Sequence, residues 1–417
     1  MTAAEAPLTV SVVIVSRARA DALRLCLTAV SRLIYPAFEV ILVADPEGVA
    51  AADDLGLTSE IKTVAFDEAN ICAARNLGIA EAAGDIVAFI DDDAVPEPLW
   101  LTHLTAPFGD PEVMAVGGYV LGRNGISFQW KARSIDRAAR SKDITLPDET
   151  RAAVLHPTPE RAIKTEGTNM AVRRDLLAQM GGFDPAFRFY LDESDLNLRL
   201  AAQGHATAIA PLAQVHHGYA ASSRRHANRA PRDLSQIGAS LAVYLRKHCP
   251  ESQRAARLAE ERMAQNARLS ACLIDGRLEP RDIRRLRRSL DAGMAEGQSR
   301  PIAPLPAIGP APRGLKAFSS RATGSHRALA GRLYRAKALK NIAKTTTKEG
   351  NTVTLYLFSA TALFHHIRFT SEGYWLHTGG IFGRSLRSGP LFKLYRLMAR
   401  AKIEASRVSR TRGDAQF

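Results

Sequence analysis

Cysteine is scarce. The 417 residues hold four, Cys26, Cys72, Cys249 and Cys272, and no two stand in CxxC spacing. This excludes a disulfide framework and a thiolate zinc site, and it fits a reducing compartment. Long apolar runs are absent as well. No stretch reaches the ~18 consecutive apolar residues that a bilayer span requires. The run 8–15 lacks a basic leader and a small-residue cleavage site, so it reads as a strand rather than a signal peptide. A cytoplasmic location is therefore expected. There is no internal repeat, and no recognisable nucleic-acid module accompanies the basic charge, so nucleic acid is not an expected partner.

Hydrophobic residues make up 46% of the chain and charged residues 24%, which suits a soluble globular protein with a sizeable core. The length allows two or three domains. The net charge of +14 is unevenly spread. Residues 1–240 carry 23 basic and 30 acidic side chains, a balance of −7, whereas 241–417 carry 33 and 12, a balance of +21. An acidic front and a basic rear imply different partners. An anionic membrane surface or another polyanion suits the rear.

The front half alternates apolar β-branched runs with helix-period stretches: SVVIV (11–15), a helix over 21–33, EVILVAD (39–45), IKTVAF (61–66), a helix over 70–84 and DIVAFIDDD (85–93). That order predicts an α/β fold with a parallel sheet and helices on both faces. Ligands of such sheets bind beyond the carboxyl ends of the strands, where Asp45 and the triplet Asp91-Asp92-Asp93 fall. A further strand is expected over 114–122. Residues 161–183 read as a loop, a short strand and a helix stopped by Gly181-Gly182. A helix is expected over 190–204 and a closing strand over 206–211.

From about 222 the composition turns polar and basic. Helices are expected over 234–300, then a semi-rigid Pro-rich linker over 301–312. Residues 313–417 form a small basic α+β region with a strand at 352–358, a glycine- and aromatic-rich β element over 365–385, and a basic amphipathic helix over 390–410. Within it, GYWLHTGGIFGRS (373–385) looks like a built site without an assigned chemistry. The expected domains are thus 1–221, 222–300, 301–312 and 313–417.

Three groups could carry chemistry. Consecutive carboxylates repel one another, so Asp91-Asp92-Asp93 is either a solvated loop or the shell of a divalent cation, Mg²⁺ or Mn²⁺. Asp192, Glu193 and Asp195 open a helix; acids there either answer the helix dipole or supply a general base. The pair His216-His217 follows the closing strand, as a packing feature or as a neutral ligand completing an oxygen-rich metal shell.

Taken in order, SVVIVSRARADALRLCL (11–27), FEVILVAD (38–45), ICAARNLGIAEAAGDIVAFIDDDAVPEP (71–98), EGTNMAVRRDLLAQMGGFD (166–184), YLDESDLNLRLAAQG (190–204) and PLAQVHHG (211–218) resemble family 2 glycosyltransferases of the GT-A fold, over about the first 220 residues. The resemblance implies an inverting transfer of a sugar from a nucleotide-diphospho-sugar to a hydroxyl of a saccharide or lipid-linked acceptor, in bacterial cell-envelope, exopolysaccharide or glycolipid synthesis. It implies a divalent cation on Asp93, Asp91 and His217. It places the donor against Ser16, Arg17, Asp45, Arg75, Asn76, Asp91, Asp92, Thr168 and Asn169, with Asp92 mainly a spacer. The base position falls on Glu193, with Asp192 second and Asp195 as an orienting acid. Three departures stand out: Val15-Ser16-Arg17-Ala18-Arg19 replaces a Pro-Thr-Tyr-Asn-Arg-like stretch, Ala44 replaces an acid, and the order Asp192-Glu193 reverses the usual Glu-Asp. The contrasting reading is a catalytically weak binding protein of the same fold that docks on a membrane or polyanion. For the rear half, packing against the front domain and peripheral attachment to the inner face of the cytoplasmic membrane are both open.

Overall fold

The computed structural model describes residues 6–218, 224–226 and 228–417. In chain order the front part runs β1 (Val10–Ser16), α1 (Ala20–Val30), β2 (Phe38–Ala44), α2 (Pro46–Asp54), β3 (Lys62–Ala65), α3 (Ile71–Glu81), β4 (Ile86–Asp91), β5 (Ala94–Pro96) and α4 (Trp100–Thr105). It continues with β6 (Val113–Leu121), β7 (Phe128–Trp130), β8 (Arg133–Asp136), β9 (Ser141–Asp143), β10 (Ala153–Leu155), β11 (Arg161–Lys164), β12 (Met170–Arg173), α5 (Arg174–Gln179), α6 (Asp192–Ala202) and β13 (Ala206–His217).

The main sheet has the order β10-β13-β6-β12-β4-β1-β2-β3, with β5 on β13 and β7 on β6. Strands β1 to β4 run parallel, β12 lies antiparallel between β4 and β6, and β13 runs parallel to β6. The result is the expected α/β architecture, a mixed and mostly parallel sheet. Strands β1, β2 and β4 are buried along nearly their whole length, as continuous Val/Ile runs require when helices cover both faces. Separate apolar clusters fill the two sides of the sheet: Val12, Ile14, Leu42 and Trp100 on one, Val13, Ile41, Val87 and Phe89 on the other.

One strand boundary differs from the sequence expectation. The closing strand runs on to His217, because a bulge between Ala210 and Gln214 lets its second half pair with β5. His216-His217 is therefore inside the strand rather than past it. The expected domain boundary at 221/222 lies outside the described residues.

The rear half begins with α7 (Ser235–His248), α8 (Glu251–Ile274) and α9 (Pro280–Ser299). Then come β14 (His326–Arg332), α10 (Ala336–Lys348), β15 (Thr352–Ser359), β16 (His366–Phe369), β17 (Trp375–Gly380) and α11 (Leu397–Arg412), whose strands form a second sheet in the order β14-β15-β17-β16. The Pro-rich stretch is extended, but it is a strap on the front domain rather than a spacer. Ile308 donates its N–H to Ala178, Lys316 to Glu39, Phe318 to Phe38 and Arg321 to Ser31. The final helix starts later than expected, at Leu397, and its buried face is Arg400, Ala401, Glu404, Ala405, Thr411 and Arg412. That face packs on β14 and β15 of the same chain, so it is not presented to lipid. Among the described residues, no helix is long and apolar enough to cross a membrane.

Candidate functional site

The carboxyl end of β4 delivers Asp91 in register beside Val15 of β1, so the triplet emerges at the rim next to the segment that follows β1. Asp92 accepts from Ser16 Oγ at 2.7 Å and pairs with Arg19 at 2.8 Å. Asp93 pairs with Arg19 on one oxygen and faces His217 Nε2 at 3.1 Å with the other. Asp91 accepts from Arg75 at 3.2 Å, and Arg75 also holds Asp192 and the Gly167 carbonyl. Burial raises Asp92 to about 7 against the pull of Arg19, with Asp93 and Asp91 adding to the rise. The cluster thus holds surplus negative charge.

A cation fits this surplus. Asp91, Asp93 and His217 each bring one ligand atom within 4.8 Å of the others. Two carboxylate oxygens and an imidazole nitrogen suit Mg²⁺ or Mn²⁺ better than a soft metal. Taken as ionised, Asp91, Asp92, Asp93 and Asp192 against Arg19 and Arg75 leave a formal −2, which a dication cancels. Gln129 on β7 adds a support that sequence reasoning missed. Its Oε1 lies 3.1 Å from His217 Nδ1 and so holds the imidazole with Nε2 facing Asp93.

Helix α6 opens on an unusual turn. Tyr190 and Leu191 both adopt left-handed backbone, φ 75° and 63°. Two non-glycine residues there store strain that the surrounding packing must overcome. The Asp195 N–H closes the first turn onto the Leu191 carbonyl at 2.9 Å. Asp192 turns to Arg75 and is almost fully buried; Glu193 keeps a solvent-accessible edge, with 15% of its side chain exposed, and accepts from Lys164 at 3.0 Å. Lys164 also pairs with Glu166, which Arg133 holds in turn. Burial works against ionisation of both acids. For Glu193 the ammonium of Lys164 outweighs it and holds the carboxyl well below the usual range; for Asp192 burial outweighs Arg75 and pushes the carboxyl up.

Several other expected residues have structural partners instead. Asp195 is fully enclosed by Arg199, Lys247 and His248, which hold it far below the usual carboxylate range against the cost of burial; it anchors α6 to α7 and does not open on the site. Asn169 is fully buried, accepts from Trp100 Nε1 at 2.8 Å and donates both amide hydrogens to the carbonyls of Tyr119 and Ala213. Asn76 spends both ends of its amide on the Phe183 backbone. Asp45 caps α2 through Gly48 N and receives the Ala18 N–H at 2.7 Å, so it shapes the rim loop. Arg17 lies exposed against Asp67. Thr168 is buried with a hydroxyl that finds no partner, as a residue beneath an incoming polar ligand would be.

Sequence reasoning also passed over Arg19 and Lys164. Their acidic partners Asp92, Asp93 and Glu193 lie far away in sequence and meet them only in the fold, so no local pattern marked them.

Comparison with known proteins places the front half among glycosyltransferases in sequence. Residues 11–181 match the family model described as Glycosyl transferase family 2. Glucosyl-dolichyl phosphate glucuronosyltransferase of Haloferax volcanii is 30% identical over 155 residues, 36% of this chain and 47% of that protein. Pre-mycofactocin glycosyltransferase of Mycobacterium tuberculosis is 30% identical over 218 residues, 50% of this chain and 43% of that protein. The chain thus spans less than half the length of these curated relatives. Among solved structures, a mannosyltransferase from Pyrobaculum calidifontis in complex with GDP-Man and Mn²⁺ aligns with a TM-score of 0.44 at 17% identity, covering 71% of this chain and 88% of that one.

Proposed function

We propose, from the match of residues 11–181 to the Glycosyl transferase family 2 model, that the chain moves a sugar from a nucleotide-diphospho-sugar to a hydroxyl acceptor by a single inverting displacement. The observation that carries the proposal is the convergence of Asp91, Asp93 and His217 on one point at the strand ends, with Arg75 linking Asp91 to the Asp192-Glu193 helix start.

In this reading Asp91, Asp93 and His217 hold a divalent cation, Mg²⁺ or Mn²⁺. When bound, it neutralises the donor diphosphate and the charge that grows there as the leaving group departs. Arg19 sits beside it and supplies a second positive charge. Ser16 fixes Asp92, and Thr168 offers a hydroxyl to the donor. Glu193 accepts the proton of the acceptor hydroxyl as its oxygen bonds to the anomeric carbon and the bond to the diphosphate breaks. The products are a glycoside of inverted configuration and a nucleoside diphosphate. Asp192 positions Arg75 rather than acting as base, since it is the more buried of the two, whereas Glu193 keeps an accessible edge. Saccharide or lipid-linked acceptors of the bacterial cell envelope, an exopolysaccharide or a glycolipid are the substrate class we propose.

The test is hydrolysis of a panel of nucleotide sugars by the purified chain with Mn²⁺ and with chelator. Turnover of at least one donor with Mn²⁺, abolished by chelator, is expected. Silence across the panel, or turnover that ignores chelator, contradicts the proposal.

One observation favours peripheral attachment to an anionic membrane as a second reading. Leu363, Phe364, Leu391, Phe392 and Leu394 are exposed beside Arg384 and Lys393; the His365 N–H meets the Arg384 carbonyl, and Gly383 bridges to Phe392. Apolar side chains ringed by cations suit an anionic bilayer surface. The patch lies outside α11. Flotation with phosphatidylserine vesicles should weaken in Phe364→Ser/Phe392→Ser; equal flotation of the variant and the parent removes this reading.

A further inference from the structure

Resting on the donor-site reading above, we infer that Glu97 and Arg412 are positioning residues for that site: the last turn of α11, at the far end of the chain, braces the strand pair that carries Asp93 and His217.

The two ends of the site share one short ribbon. β5 starts immediately after Asp93 and pairs antiparallel with the end of β13, with Ala94 opposite His217, Val95 opposite His216 and Pro96 opposite Val215. A three-residue pairing is weak by itself and needs an outside support to keep its register. Glu97, the next residue, supplies it. Its N–H donates to the Gln214 carbonyl at 3.0 Å, and its Oε1 accepts from His216 Nε2 at 2.7 Å. Side chains alternate along a strand. His217 turns to Asp93, and His216 turns the other way, to Glu97 and to the Trp375 ring 4.7 Å distant. The two neighbouring histidines therefore have different tasks, one at the cation site and one in its support.

Arg412 closes the brace. Its Nε and Nη2 donate to Glu97 at 2.6 and 2.7 Å, a two-pronged pair. Its Nη1 lies 3.0 Å from His377 Nε2 and 3.4 Å from Thr354 Oγ1, and its guanidinium stacks 3.9 Å over Trp375. Arg412 and Glu97 are each 1% exposed. The Leu99 N–H donates to the Thr411 carbonyl at 2.9 Å, tying the same turn of α11 to the chain just beyond Glu97. Trp375 and His377 belong to the GYWLHTGG segment whose purpose the sequence left open; here they form the socket for Arg412. Removing Arg412 would leave a buried carboxylate without its counter-charge, and Glu97 would relax by drawing in water or by moving. Either change frees His216 and loosens the strand from which His217 projects. Supports one step removed from a metal ligand typically change metal affinity 10–100-fold.

The experiment is Mn²⁺ binding to the full chain, read from the free-Mn²⁺ electron paramagnetic resonance signal, alongside donor KM and kcat. Arg412→Ala should weaken Mn²⁺ binding about tenfold and raise donor KM while the circular dichroism spectrum is kept. The control is Arg400→Ala, equally buried on the same helix but paired with Ser385 and Glu404; it should leave Mn²⁺ affinity within about twofold. If Arg412→Ala yields no folded protein, Glu97→Gln carries the test, since it keeps the side-chain shape and removes the charge; a weakening of at least about threefold is expected. Mn²⁺ affinity unchanged in Arg412→Ala or in folded Glu97→Gln, or lowered equally by Arg400→Ala, overturns the inference. A parent protein that takes no Mn²⁺ overturns the donor-site reading itself, and the brace with it.

Discussion

In the proposed mechanism Glu193 must be ionised to accept a proton, and Lys164 at 3.0 Å keeps it so. The same ammonium makes it a weaker base, a compromise set by burial on one side and the cation on the other. Glu193→Gln should lower kcat by about 10²–10⁴ with donor KM little changed; parental turnover in the purified variant would remove Glu193 from the role. Lys164→Met gives a pH test. Because Lys164 lowers the pKa of Glu193, its loss raises that pKa, and the acid limb of kcat/KM should move to higher pH. An unmoved limb would mean that another group sets it. That Asp91, Asp93 and His217 come together was legible, because chemistry-bearing residue types stand out at strand ends. Asn169, Asn76 and Asp195 looked equally functional in the sequence, yet the structure uses them for buried hydrogen bonds and ion pairs. A polar residue in a motif does not disclose which way its side chain turns.

At the scale of elements, β1 to β4 were readable from their apolar runs, and their observed ends fall within a residue or two of expectation. The short strands β5 and β7 were not readable. They have three residues each and too few positions for a period, although they support His217 through Ala94 and Gln129. The Pro-rich strap is a further case. Its composition predicted an extended chain but not the surface it lies on. Gly181 records that surface: its φ is +74°, and a Cβ there would meet Leu305 Cβ at 2.6 Å and the Pro306 carbonyl at 2.7 Å. Gly181→Ala should therefore destabilise the fold by more than the ~1 kcal/mol of a left-handed alanine, seen as a lower Tm in calorimetry. A loss no larger than that ~1 kcal/mol would mean that the strap does not bear on the end of α5.

For the whole molecule, the charge asymmetry in the sequence suggested two halves with separate partners, whereas part of the basic surplus is spent inside the protein. Arg412 meets Glu97, Arg300 the Ala186 carbonyl and Arg257 the Ala138 carbonyl. The Glu97 pair adds acid sensitivity. Burial would raise this carboxyl, but Arg412 and His216 hold it at about 2 against an ordinary 4.5. Its stabilisation is complete above about pH 4.5 and is lost as pH falls toward 2, amounting to about 3 kcal/mol at 1.36 kcal/mol per pH unit. Urea unfolding of Arg412→Ala should show a flatter fall in stability across that window, and a slope equal to the parent's would contradict it. The central claim, a cation-dependent nucleotide-sugar site at Asp91, Asp93 and His217, is tested most directly by isothermal titration of nucleoside diphosphates (uridine, guanosine and thymidine) with Mn²⁺ into the parent and Asp93→Ala. The account predicts binding of at least one nucleotide by the parent that requires Mn²⁺ and disappears in Asp93→Ala. Binding that survives Asp93→Ala undiminished, or that proceeds equally without Mn²⁺, would contradict it.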